Sequence, residues 1–234
     1  MNKLLALGMS LSALLVTPVF AHEDDDPVIV SVTVDQLERR FRDGDDSWAL
    51  DAEAWVGTDL NKLWLKLDAE RSRSDTEALE LQLLYGRAFS PYWEWLVGVR
   101  QDIDPDPSRT WGVVGVQGLA PYFVETELSL FIGDDGDVAA QLDLEYELLF
   151  TQQLILQPEL SLKAYGQDDE DSGQGSGLAD ISFGLRLRYE IRPEFALYVG
   201  WQWSKQYGDT ADYSRAAGSP TEQGMAVVGL KIWF

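Results

Sequence analysis

The sequence predicts an all-β fold, a transmembrane antiparallel up-and-down β-barrel of about 12 strands. Three observations predict it. Apolar and polar residues alternate with a period of two over segments of roughly 10 to 14 residues, which suits strands tilted through a bilayer. Short turns and longer acidic links alternate along the chain, as in bacterial outer-membrane barrels. The last segment ends on the aromatic residue Phe234, an ending typical of such barrels.

The N-terminal residues predict export from the cytoplasm. Lys3 precedes a short apolar stretch, and Ala21 is the small residue that a signal peptidase requires. We therefore expect residues 1–21 to be a signal peptide, residues 22–27 a short acidic periplasmic tail, and residues 28–234 the barrel. An uncleaved signal anchor is the alternative, although the apolar stretch is short for a membrane helix.

The presence of a first strand follows from the alternation between short turns on one side of the membrane and longer links on the other. Residues 47–56 alternate and lead into a short turn, so another strand must precede them and start on the periplasmic side. Residues 28–37, which are apolar at every second position, supply that strand. Residues 38–46 then form the first outer loop, and both ends of the barrel lie in the periplasm.

Two kinds of connection separate the remaining strands. Short turns are predicted at residues 56–60, 89–92, 119–122, 150–153 and 191–194. Longer links are predicted at residues 71–77, 102–108, 133–137, 166–178 and 206–222. We expect the short turns in the periplasm and the longer links outside the cell.

Aromatic residues gather near the predicted strand ends. They are Trp55, Trp64, Tyr92, Trp93, Tyr122, Phe123, Phe150, Tyr198, Trp201 and Trp203. Such rings favour the two membrane interfaces, so they indicate aromatic girdles. Packing inside the protein is the alternative for each ring.

The same alternation places charged residues of both signs on the inner face of the barrel. They are Asp51, Glu53, Lys62, Lys66, Asp68, Glu70, Glu80, Glu94, Arg100, Glu125, Glu127, Asp143, Glu145, Glu147, Glu159, Lys163, Arg186, Arg188, Glu190 and Lys231. This face is either a salt-bridged filling or a lumen that attracts cations. Five carboxylates fall on adjacent strands, where like charges are costly unless a cation or arginine neutralises them. The candidate metal-contacting residues are therefore Glu125, Glu127, Asp143, Glu145 and Glu147.

Composition argues against several classes of function. The formal net charge of −22 argues against a nucleic-acid partner. The absence of cysteine excludes disulfides and thiolate metal sites. His22 is the only histidine, so the barrel has none to activate a serine or to pair with an aspartate in catalysis. We therefore expect no enzymatic activity.

His22 itself is a candidate metal ligand. Cleavage after Ala21 would make it the N-terminal residue. Its free amine and ring Nδ1 could then chelate one Cu(II) ion, since nitrogen ligands suit copper. The alternative is an incidental residue beside a cleavage site.

The acidic run at residues 168–171 falls in one of the longer predicted links. A run of like charges on an outer loop is usually solvated. It could instead bind divalent ions that bridge lipopolysaccharide.

Several segments together match one known family in a single register. They include LYGRAFSPY at residues 84–92 and GLRLRYEIR at residues 184–192. The others are residues 51–66, 98–102, 107–110, 115–122, 151–158, 175–178 and 208–212. On these motifs the chain resembles the copper resistance protein B family of bacterial outer membranes. The resemblance implies a role in copper tolerance alongside periplasmic copper-handling partners.

One departure from that family concerns metal ligands. Its members often carry an N-terminal segment rich in methionine and histidine, whereas this chain beyond residue 21 has only Met225 and His22. Soft thioether ligands for Cu(I) are therefore almost absent.

The function that we expect is a barrel that binds or passes copper ions, with copper as cargo and not as a tightly bound cofactor. The expected partners are outer-membrane lipid, copper ions and a periplasmic copper-handling protein. The alternative is an occluded structural barrel whose acidic loops bind divalent cations.

Overall fold

The computed structural model describes residues 26–42, 46–72, 76–104, 108–133, 136–170 and 172–234. The predicted signal peptide at residues 1–21 and the candidate copper ligand His22 lie outside these ranges. Asp26 accepts a hydrogen bond at Oδ1 from the backbone N–H of Asp59 at 3.2 Å. The described chain therefore begins beside the first short turn.

Strands dominate the described residues. They are β1 (Ile29–Phe41), β2 (Ser47–Gly57), β3 (Asn61–Ser72), β4 (Thr76–Ser90), β5 (Trp93–Asp104), β6 (Arg109–Ala120), β7 (Val124–Gly133), β8 (Val138–Glu145), β9 (Leu148–Leu149), β10 (Leu154–Tyr165), β11 (Gly177–Arg192), β12 (Phe195–Gln206) and β13 (Glu222–Trp233). An α-helix, α1 (Gly208–Ala216), lies between β12 and β13. Within the described ranges, no helix is long and apolar enough to cross a membrane.

The strands pair antiparallel with their neighbours, and the sheet closes on itself. β1 pairs with β13, with Val34 opposite Ile232. β8 and the short β9 both pair with β10, so together they occupy one position in the wall. The chain is therefore a closed barrel of 12 strand positions, as the sequence predicts. Closure leaves no strand edge facing lipid, where backbone polar groups would have no water to bond.

The first strand is longer than the sequence analysis predicts. β1 continues to Phe41, so residues 38–41 belong to the wall and not to the first outer loop. The register of β1 shifts between Val34 and Leu37 against β13, and at nearly the same place against β2. Such a bulge adds an unpaired residue and reverses which side chains face inward beyond it. Strict alternation with a period of two ends at this reversal, so the pattern predicts an end of β1 at residue 37 although the strand continues.

The connections sort by length only in part, because the strands extend into several of the predicted longer links. The links after β3, β5 and β7 leave three or four residues between strands, no more than the turn after β9. The turns after β2, β4, β6, β9 and β11 are short and lie at one end of the barrel, here named the short-turn end. The links after β10 and β12 are much longer and lie at the opposite end, here named the long-loop end. The second of these links contains α1, where the sequence analysis expected only a loop. Asp209 in its first turn and Arg215 in its last turn complement the helix dipole.

Large apolar side chains cover the outer face of the barrel. On β3, Leu63 and Leu65 are each nearly half exposed. An exposed apolar belt of this kind is what contact with lipid requires. Three of the predicted girdle aromatics do not belong to it, because Trp55, Trp64 and Tyr198 point inside.

An apolar cluster fills part of the barrel interior. Its members lie on β3 to β8 and are Trp64, Leu84, Leu96, Trp111, Val113, Phe131 and Ala139. Leu84 and Leu96 are completely shielded from solvent. Gly86 makes room for the Trp64 indole, because a Cβ there would lie 2.8 Å from Nε1. The cluster narrows the polar space that remains inside the barrel.

Candidate functional site

A cavity of about 1870 Å³ occupies the interior of the barrel. Its lining includes Asp59 and Tyr92 at the short-turn end, and Gln174 and Thr210 at the long-loop end. The cavity therefore extends between the two ends and is here named the lumen. Most of the charged residues that the alternation places on the inner face line it.

The strand register brings four of the five predicted carboxylates together on one wall of the lumen. Glu147 lies beyond the end of β8 and does not line the cavity. β7 pairs with β8 so that Glu125 lies opposite Glu145, and Glu127 lies opposite Asp143. β8 in turn pairs with β10, which places Glu145 opposite Glu159. Directly opposed like charges destabilise a sheet. The wall therefore holds an acidic ladder across three neighbouring strands.

Only part of this ladder is neutralised by protein cations. Lys66 Nζ is 2.5 Å from Glu127 Oε2, and Arg188 Nη2 is 2.5 Å from Glu147 Oε1. Glu125, Asp143 and Glu145 have no ion-pair partner among the residues that the structure describes. Asp143 accepts a hydrogen bond from Gln141 Nε2 at 2.8 Å. Three of the five predicted residues thus remain open to a mobile cation, whereas the other two are paired.

A second acidic group lies on β2 and β3. Asp51 is opposite Asp68 across the two strands, and Glu53 is opposite Lys66. All three carboxylates line the lumen, yet none has an ion pair within the described ranges. The sequence analysis placed them on the inner face but not in the candidate site.

The β3 lysines are engaged with other groups. Lys66 reaches across the lumen to Glu127 on β7 and also donates to Gln117 Oε1 at 3.1 Å. Lys62 Nζ lies 5.0 Å from the Trp55 ring centroid and 5.6 Å from the Trp64 centroid. Lys62 also pairs with Glu94 at 3.5 Å. Both lysines therefore stabilise contacts elsewhere, and neither forms an ion pair with Asp51 or Asp68.

The neighbouring part of the wall is organised around Arg186 of β11, the strand beside β10. Its Nε and Nη2 donate to the two oxygens of Glu38 at 3.0 and 2.9 Å, and its Nη1 lies 2.5 Å from Glu159 Oε2. Glu38 also accepts from Arg40 Nε at 2.8 Å and from the Tyr198 hydroxyl at 3.1 Å. This network joins β1, β10, β11 and β12. Sequence reasoning missed Glu38 because it assigned that residue to a loop.

Gly229 on β13 gives this network its space. A Cβ at that position would lie 2.5 Å from the Tyr198 ring and 2.8 Å from Glu38 Cβ. Any larger residue would therefore displace the tyrosine or the carboxylate. The close approach, and not backbone conformation, requires glycine here.

Two segments at the long-loop end fold over the lumen. Arg109 of β6 forms an ion pair with Asp169 and donates to Gln174 Oε1 at 3.2 Å. The backbone N–H of Gly175 donates to Thr210 Oγ1 at 2.8 Å, which ties the β10–β11 loop to α1. These contacts form a cap, here defined as residues 166–170 and 172–176 together with α1.

The cap changes the interpretation of the acidic run at residues 168–171. Asp168 is exposed but accepts a hydrogen bond from the backbone N–H of Ser176 at 2.6 Å, and this bond lowers the pKa of the Asp168 carboxyl. Asp169 is held by Arg109. At least these two carboxylates have protein partners, so they are not simply solvated as the sequence suggested.

The lumen offers scattered ligands and not a compact metal centre. Among the residues that the structure describes, no group of three or more histidine, aspartate or glutamate side chains is placed to hold one metal ion. Met225 of β13, the one methionine beyond residue 21, is buried and lines the lumen near the long-loop end. The arrangement suits successive weak contacts with a cation more than one tight site.

Comparison with known proteins gives a family for the chain. The family model described as copper resistance protein B precursor (CopB) matches residues 28–234. Copper resistance protein B of Escherichia coli is 44% identical over 210 residues, covering 90% of this chain and 71% of that protein. A copper resistance protein B homolog of Pseudomonas syringae pv. tomato is 45% identical over 216 residues, covering 91% and 73%.

Solved structures agree with the barrel. The NanC porin superposes with a TM-score of 0.58 at 11% identity, covering 87% of this chain and 99% of that chain. The KdgM porin superposes with a TM-score of 0.55 at 13% identity, covering 86% and 98%. At these identities the likeness concerns the fold alone, which is that of an outer-membrane barrel.

Proposed function

Because the chain belongs to the copper resistance protein B family, we propose that this outer-membrane barrel serves copper resistance by passing copper ions through its acidic lumen. The family supports the role in copper resistance. The route through the lumen is our proposal. One observation carries it: the cavity extends between both ends of the barrel, and several of its lining carboxylates have no ion-pair partner among the described residues.

The unpaired carboxylates are distributed along the lumen. Among the described residues they are Asp51, Glu53, Asp59, Asp68, Glu125, Asp143, Glu145 and Asp180. A pore conducts an ion only when each contact is strong enough to attract it and weak enough to release it. Carboxylates on separate strands meet both conditions better than a closed coordination shell does. Among divalent first-row metals, Cu²⁺ also binds such ligands most strongly.

His22 extends this proposal to the N-terminal side of the barrel. Its terminal amine and imidazole would form a Cu(II) chelate if cleavage after Ala21 occurs. Such a site would hold copper where the ion leaves or enters the barrel. A periplasmic copper-handling protein is the partner that we propose for the exchange. The role involves no catalytic step and no nucleic acid.

Copper movement in reconstituted vesicles tests the proposal. We expect vesicles that contain the barrel to release trapped copper, and the variant Glu125→Gln/Asp143→Asn/Glu145→Gln to release it more slowly by about tenfold, because the attraction inside the lumen is removed. The matched control, Asp26→Asn/Glu194→Gln/Glu222→Gln, removes the same number of charges from exposed positions outside both the lumen and the cap and should leave release unchanged. Equal release from all three preparations would contradict a lumenal route. Copper binding to the mature chain with His22→Ala tests the N-terminal site separately.

A second candidate function is an occluded structural barrel. The bridge between Lys66 and Glu127 crosses the lumen, and the cap covers the long-loop end, so both favour blockage. This function predicts vesicles that retain copper whether or not the barrel is present. It also predicts that loss of the protein makes the envelope sensitive to detergent at any copper concentration.

A further inference from the structure

The outer face of the barrel carries a basic row that the transport proposal does not use. Arg39 of β1 is opposite Trp48 of β2, and Trp48 is opposite Arg71 of β3. None of the three lines the lumen. Neighbouring strands lie about 4.8 Å apart, so the two arginines are roughly 10 Å apart along the row with the indole between them. We name these residues the Arg-Trp-Arg row.

The row stands at the edge of the lipid-facing belt. The next outward positions toward the short-turn end are Leu37, Leu50 and Ala69, which pair in the same order across β1, β2 and β3. In the other direction the strands end and the long-loop end begins. Trp48 is 55% exposed, as expected for an indole at a membrane interface. The row is therefore placed at the depth of lipid headgroups.

The two guanidinium groups are available to an anion. Arg71 is exposed and has no ion-pair partner within the described ranges. Arg39 keeps 41% of its side chain exposed, and its Cζ lies 5.1 Å from the Phe41 ring centroid. Its Nη2 is 2.5 Å from Asp46 Oδ2, and the other terminal nitrogen makes no hydrogen bond to the part of the chain that the structure describes. The planar guanidinium binds phosphate through two parallel hydrogen bonds.

We propose that the Arg-Trp-Arg row binds a phosphate group of a membrane lipid, with Arg39 and Arg71 as the phosphate ligands and Trp48 against the acyl chain. Charge complementarity supports this ligand, because the chain as a whole carries −22, yet among the described residues this row places two cations beside the single carboxylate of Asp46. The position at the edge of the belt identifies its source as a lipid and not a free ion. Asp46 competes with the phosphate for Arg39.

Native mass spectrometry of the refolded barrel with diphosphoryl lipid A tests the row. We expect Arg39→Gln/Arg71→Gln to weaken lipid binding about tenfold or more, because charge-assisted hydrogen bonds are lost. Asp46→Asn should strengthen binding about threefold, since it frees Arg39 from a partly exposed ion pair. Arg215→Gln on α1 is a control for the loss of an exposed cation away from the lipid belt, and it should leave lipid binding unchanged.

Several outcomes would overturn the inference. Equal binding of lipid A from which the phosphates have been removed would show that the acyl chains alone are recognised. Competition by millimolar inorganic phosphate without any lipid preference would identify a general anion site. Unchanged binding in both Arg39→Gln/Arg71→Gln and Asp46→Asn would place the lipid elsewhere. The Asp46→Asn result guards against misfolding, because a damaged barrel would not bind more tightly.

Discussion

Glu38 is completely shielded from solvent inside the barrel, and the cations around it make this possible. Burying a carboxylate alone costs several kcal/mol. Here Arg186 and Arg40 donate to it from two directions, and the Tyr198 hydroxyl completes the shell. The network crosses from β11 to β1 over β12 and β13. The network therefore stabilises the region of the barrel wall where the first and last strands pair.

We expect Glu38→Gln to destabilise the barrel by about 3 kcal/mol, because it leaves Arg186 with a weakened partner in a buried position. Urea unfolding of the barrel in lipid vesicles, followed by tryptophan fluorescence, measures the change. Glu190→Gln is the control, since Glu190 is partly exposed and lies 3.3 Å from Arg188. Equal midpoints for Glu38→Gln and Glu190→Gln would contradict the structural role of the network.

At the scale of elements, the cap is the feature that sets access to the lumen. The β10–β11 loop reaches inward and is held by Arg109 from β6 and by Thr210 from α1. Ser172, Gly173 and Gln174 of this loop line the cavity. The width of the long-loop end therefore depends on contacts between segments that are far apart in the sequence.

Arg109→Gln should release the loop and raise the mean single-channel conductance. The ion pair with Asp169 is partly buried, and its loss of about 1 kcal/mol would increase the population of the open loop roughly fivefold. Planar-bilayer recordings measure the change. Arg215→Gln serves as the control, because Arg215 pairs with Asp212 on the surface of α1. Unchanged conductance in Arg109→Gln would mean that the loop does not limit access.

The elements differ in how well the sequence predicts them. Regular strands such as β10 and β11 follow from alternation, because an inward and an outward face impose a period of two. β1 was cut short because its bulge breaks that period. Helix α1 was missed because its residues lie in an acidic link and carry no long apolar face. Local irregularities of this kind depend on tertiary contacts that the pattern does not contain.

At the scale of the whole molecule, the sequence predicts the closed barrel and the sign of its interior, but not which charges remain free. Among the described residues, Glu125 and Glu145 have no ion-pair partner, whereas Glu127 pairs with a lysine from the far wall. Asp51 and Asp68 were not chosen as site residues, yet they have no ion-pair partner in the described ranges. Pairing across the lumen depends on the diameter of the barrel and on side-chain reach. The alternation of residues within one strand gives no information about the diameter of the barrel or the reach of its side chains.

The charge of the lumen has a direct electrical consequence. Unpaired carboxylates in a confined space attract cations and repel anions. The reversal potential of the barrel in a planar bilayer, recorded across a gradient of copper(II) chloride, therefore tests the central claim most directly. We predict a potential that favours the cation and moves toward zero in Glu125→Gln/Asp143→Asn/Glu145→Gln. Absence of current, or a potential that favours chloride, would contradict passage of copper through the lumen.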